Sequence, residues 1–96
     1  MKKVLTNKEL NSLADFFKVL SEESRLRILN ALCKGALNVT QITETTGLEQ
    51  ANVSRHLKML TQAGILKRTS QGVTAIYEIK EKKVLQLCEF VSQELI

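Results

Sequence analysis

Ninety-six residues, 44% hydrophobic and 25% charged, make one domain with a modest core and exclude disordered and membrane-embedded classes. No apolar run approaches the roughly 18 residues of a spanning helix, and MKKVLTNKEL lacks an apolar stretch of signal-peptide length, so a cytoplasmic protein is expected. The net charge of +4 is uneven: residues 50–83 hold seven Lys/Arg against Glu78 and Glu81, and residues 84–96 hold two glutamates and no base.

Thr6-Asn7-Lys8-Glu9 has the form of a capping box, and Leu10, Leu13, Ala14 and Phe17 then share a helical face. Ser21 is placed to cap a second helix with Glu22 and Glu23 in its first turn and Leu26, Leu29 and Cys33 on its apolar face. Lys34-Gly35 ends it. Asn38 caps a short third helix carrying Val39 and Ile42 up to Gly47.

A fourth helix is predicted from Gln50 to Ala63. At about 100° per residue, Leu57, Leu60 and His56 lie within about 60° of Val53. Ala51, Ser54, Arg55, Lys58 and Gln62 face the other way. After Gly64, ILKRTSQGVTAIYEIK reads as a two-stranded hairpin with Val73, Ala75, Tyr77 and Ile79 on one side. The last segment returns to helical spacing through Val84, Leu87, Cys88, Val91 and Leu95.

The order is four helices, two strands and a helix: a mostly α chain with a β-hairpin wing. The third and fourth helices, joined at Gly47, meet the requirements of a helix-turn-helix over about residues 39–63. Glycine allows a left-handed turn, Ile42, Leu48, Val53 and Leu57 fix the interhelical angle, and the outer face of the fourth helix is polar. With a wing over about residues 65–79 it is a single winged helix-turn-helix domain spanning residues 1–96. A basic stretch in this position suits phosphates, although a solvated basic face has the same composition.

L-S-x-x-x-R-L-x-I-L (from Leu20), S-R-H-L (from Ser54), A-G-I-L-K-R (from Ala63) and G-x-x-x-x-Y (from Gly72) together resemble the ArsR/SmtB repressors over roughly residues 10–96. The resemblance implies a homodimeric repressor released from a palindromic double-stranded operator by an inducer. The first and last helices, about 7–20 and 81–95, would form the dimer interface. Independently, five short helices leave more apolar face than one small subunit can cover.

On the recognition helix, Arg55 suits a bidentate contact to guanine, and Gln50 and Asn52 suit adenine or phosphate. Ser54 and Lys58 suit the backbone, and Lys67 and Arg68 on the wing suit phosphates or the minor groove. Glu49 departs from the serine frequent in the family and would repel phosphate, so it is not assigned a contact.

His56, the only histidine, faces inward, and its family counterpart is structural, so it is expected to be packed and hydrogen-bonded. Nothing else assembles a catalytic site: there is one aspartate, Asp15, no glycine-rich phosphate loop and no nucleophile motif. A non-enzymatic protein is expected. The competing class is a winged-helix interaction module that binds protein instead of specific DNA; the basic outer face argues against it.

The family's metal sites are not matched. LNVTQI, Leu37–Ile42, has no C-x-C, and the last helix has no histidine or aspartate, so no metal or other cofactor is expected. Cys33 and Cys88 are read as small packed hydrophobes, with sensing of oxidants or reactive sulfur as the alternative. For such sensing, relatives place the helix-two thiol at the position of Asn30 and the second one well beyond Cys88. The signal is otherwise unspecified by the sequence.

Overall fold

The computed structural model describes residues 3–95. Thr6 and Glu9 close the expected capping box: Glu9 N donates to Thr6 Oγ1 (3.1 Å) and Thr6 N donates to Glu9 Oε1 (2.9 Å). Helix α1 runs Asn7–Leu20. Ser21 does not cap the next helix. Its hydroxyl donates to the Lys18 carbonyl (2.8 Å) and closes α1, while Glu22 leads α2 (Glu23–Leu32) without a side-chain cap bond. The Glu22 carboxylate is drawn instead to Arg25, at 2.9 Å.

Helix α2 is rotated relative to the expected face. Leu29 is buried as predicted, but its companions are Arg25, Ile28 and Leu32, whereas Leu26 and Cys33 are exposed. Two partly apolar stripes run along this helix, and its packing partners turn inward the one that carries Arg25.

Leu37–Asn38 forms a short strand, β1, and Asn38 then caps α3 (Val39–Thr46) through a second capping box, with Gln41 N donating to Asn38 Oδ1 at 2.8 Å. Helix α4 covers Gln50–Gln62; β2 is Leu66–Gln71, β3 is Thr74–Ile79 and α5 is Lys83–Leu95. The hairpin is therefore part of a three-stranded antiparallel sheet in the order β1-β3-β2, with Leu37 opposite Tyr77 and Leu66 opposite Ile79. β1 adds an edge partner that helps anchor the wing, which alone would be marginal. Val73 is not on the strand face with Ala75, Tyr77 and Ile79. It sits fully exposed in the Gly72-Val73 turn, where Gly72 has φ +62.

The core lies where α2, α3 and α4 meet the sheet: Ile28, Leu29, Leu32, Ile42, Val53, Leu57, Leu60, Ile65, Leu66 and Ile79, with Leu20 and Val84 at its margin. Each such side chain contributes roughly 1.5–3 kcal/mol on burial. The first and last helices share little of this. Leu20 is the buried residue of α1 and Val84 that of α5, while Leu10, Phe17, Val91, Phe90 (66% exposed) and Leu95 (79% exposed) face outward. The α1 face holding Leu10, Ala14 and Phe17 is thus open, and Phe16, Val19 and Leu20 are the side chains that turn toward the core.

Candidate nucleic-acid interface

The turn between α3 and α4 is fixed by backbone chemistry. Gly47 adopts φ +74, and its N–H donates to the Thr43 carbonyl at 2.9 Å. A Cβ there would meet open space, so the left-handed backbone, not crowding, is what calls for glycine. Thr46 braces the same turn by donating to the Ile42 carbonyl (2.8 Å) and accepting from Leu48 N (3.3 Å). Buried Ile42, Val53 and Leu57 then lock α4 against α3, setting which face of α4 looks outward.

That face is the expected one. Gln50, Asn52, Ser54, Arg55 and Lys58 are all exposed. Arg55 has no ion-pair partner among the described residues, in contrast to Arg25 and Arg27. Glu49 is the N-cap of α4 without a side-chain cap bond, which leaves the amides of the first turn open at the positive end of the helix dipole. In the wing, Lys67 and Arg68 are both exposed but are neighbours on β2, so they point to opposite faces of the sheet. Lys67 stands opposite Glu78; Arg68 stands opposite Tyr77 on the core-side face and donates through Nη1 to Ser70 Oγ at 3.3 Å.

The inner face of α4 holds His56, 1% exposed and hydrogen-bonded. Its Nδ1 accepts from Arg25 Nε at 3.2 Å, which places the ring proton on Nε2, facing Glu22 Oε1 at 3.8 Å. Burial away from water holds the imidazole below its ordinary value; Glu22 opposes this, and Arg55 and Arg25 add to it. Arg25, itself 7% exposed, stands in the sequence only as the arginine of L-S-x-x-x-R-L-x-I-L, with no role attached. Its Nη1 donates to the carbonyls of Val19 (3.1 Å) and Lys18 (3.4 Å) at the end of α1, and its Nη2 lies 3.1 Å from Met59 Sδ. An arginine at a helix position that shares a face with Ile28 and Leu32 was the available signal.

Of the two cysteines, Cys88 is half-buried and packs against the core as a small hydrophobe, whereas Cys33 is exposed and does not. Both line an open, mostly apolar groove of about 950 Å³ bounded by Phe17 and Leu20 of α1, Leu26 and Leu29 of α2, and Leu87 and Val91 of α5. Among the described residues no group of three His, Cys, Asp or Glu side chains converges as metal ligands would, and no helix is long and apolar enough to cross a membrane.

Residues 22–68 match the model of the arsR family of bacterial regulatory proteins. Over 89 residues the chain is 36% identical to the cadmium resistance transcriptional regulatory protein CadC of Listeria innocua, covering 92% of this chain and 75% of that one. The chain belongs to the arsR family. This arsR-family chain is also 42% identical to the transcriptional repressor PagR of Bacillus anthracis over 72 residues, covering 74% and 72% of the two chains. Its fold superposes with a TM-score of 0.80 on a homodimeric winged helix-turn-helix DNA-binding domain from Mycobacterium bovis, at 27% identity and with 99% and 90% of the chains covered. Membership makes the chain a transcriptional regulator and not an enzyme.

Proposed function

We propose that this arsR-family chain is a cytoplasmic homodimer that binds a palindromic operator as a repressor and leaves it when an inducer acts. The observation that carries the reading is the outer face of α4, a polar and basic strip held outward by a locked turn. Arg55 reads guanine, Gln50 and Asn52 read adenine or hold phosphate, and Ser54 and Lys58 set the helix on the backbone. Lys67 and Arg68, on opposite faces of the wing, serve phosphates or the minor groove. Two copies meet through the uncovered apolar faces of α1 and α5, where Phe17, Phe90, Val91 and Leu95 lie open in one subunit. The homodimeric state of the Mycobacterium bovis relative supports this.

Hydroxyl-radical footprinting of the operator tests the arrangement. A dimer protects two patches on one face of the duplex about one turn, roughly 34 Å, apart; a single patch would contradict it. Lys58→Ala is expected to weaken binding to all sequences alike and to reduce the slope of log K against log salt by about one, as loss of one phosphate contact does. Anisotropy titrations across a salt series check this.

For the inducer, the alternative to an unassigned signal is a thiol one, supported by Cys33 and Cys88 lining one groove formed by α2 and the proposed dimer helices α1 and α5. Mild oxidation then lowers operator affinity reversibly, and Cys33→Ser or Cys88→Ser removes the effect. Insensitivity of the natural chain to oxidant would leave both cysteines outside the signal.

A further inference from the structure

We propose that Arg25 is a positioning residue for DNA binding, acting through His56 to set the recognition helix α4 against the end of the dimer helix α1. Four polar contacts of one guanidinium support this. Nε donates to His56 Nδ1 on α4, Nη1 donates to the Lys18 and Val19 carbonyls that end α1, and Nη2 pairs with Glu22 at the head of α2. Met59, one turn after His56 on α4, closes the fork at its sulfur. One buried group thus ties three helices, including the helix that would enter the groove and the helix that would meet the second subunit. The Val53–Leu57–Leu60 packing holds α4 on the same core that Leu20 of α1 joins, and Arg25 adds hydrogen bonds that link the two helices.

The tie depends on protonation. His56 Nδ1 accepts only while unprotonated; an imidazolium would present N–H to N–H and place a cation beside Arg25, with Arg55 on the same helix and Glu22 as the acid facing it. His56 favours its neutral form in the folded protein, so the tie is complete above the ordinary histidine value of about 6.5 and is lost as pH falls through the lower folded value. The inference rests on the DNA-binding reading for its consequence: operator affinity falls on acidification. The sign is distinctive. An exposed histidine at a DNA interface would gain charge beside phosphates and tighten binding instead.

His56 is the only histidine, so its own imidazole resonances follow its titration as pH is lowered from about 7, distinct from carboxylates and thiols. The test is an NMR titration of the free natural chain combined with operator affinity over the same range. Expected are amide shifts in residues 52–60 of α4 and in residues 18–21 at the end of α1, sharing one midpoint with the imidazole, below that of a free histidine. Affinity should fall by up to about tenfold per pH unit below that midpoint, since one proton is linked. His56→Asn, which retains an acceptor near the Nδ1 position but cannot titrate, should flatten this acid limb and abolish the shared shifts. Titration of His56 without movement at residues 18–21, or affinity that is constant or rises on acidification, would overturn the proposal. Shared shifts with no operator preference even at pH 7 would uphold the coupling and overturn the DNA-binding reading.

Discussion

Leu57→Ala is expected to lower the unfolding free energy by about 2–5 kcal/mol, the range for removing a fully buried leucine and leaving a cavity. Leu57 is completely buried on the inner face of α4, within the cluster that includes Ile42, Val53 and Leu60. Those residues join both helices of the motif, so relaxation around a void would require moving α3 or α4 as a unit. Small domains have only about 5–15 kcal/mol in total, so the loss is a large share. Urea denaturation checks it: the midpoint should drop with the slope unchanged. Gln62→Ala, on the exposed face of the same helix, should stay within about 0.5 kcal/mol. A Leu57→Ala cost under about 1 kcal/mol would mean that α4 is not seated as described.

Arg55→Ala is expected to do the reverse: leave stability within about 0.5 kcal/mol and remove sequence discrimination. Arg55 is exposed and has no ion-pair partner among the described residues, so the fold does not depend on its charge. A bidentate contact to guanine is worth about 1–3 kcal/mol, or roughly 5- to 150-fold between the operator and a variant with that base pair changed. Competition binding with the two duplexes measures the ratio. If Arg55→Ala keeps the full ratio, another residue on the outer face of α4 reads the sequence. The two substitutions lie two positions apart on one helix, so their opposite signatures separate packing from recognition.

The features legible in the sequence are those determined within a few residues. Thr6 with Glu9, Asn38 as a cap, Gly47 at a positive φ and the inward face of α4 each depend on a spacing that one helical turn or one bend imposes. The angle of His56 from Val53 sets it on the inward face, and it is buried there. What escaped required knowledge of distant partners. Arg25 is buried because acceptors from α1 and α4 surround it, and one of them lies 31 positions away. The strand at Leu37–Asn38 is two residues long, too short for any periodicity to register, and exists because β3 offers it an edge. Cys33 and Leu26 lay on an apolar stripe that periodicity could identify but not assign to core or surface. The Arg25 stripe beside it was the one covered. Lys67 and Arg68 were both visible as basic residues of the wing, but only their strand assignment shows that they face opposite ways.

The proposed function turns on sequence-specific operator binding through the outer face of α4. Fluorescence anisotropy tests it most directly, with the purified chain titrated against duplexes flanking its own gene and a scrambled duplex of equal length, at moderate salt and pH 7. Specific protein–DNA contacts exceed non-specific ones by about 10³-fold or more, so a clear preference for one flanking duplex is expected. Equal affinity for all duplexes at every salt concentration would contradict it and favour a winged-helix module that binds protein.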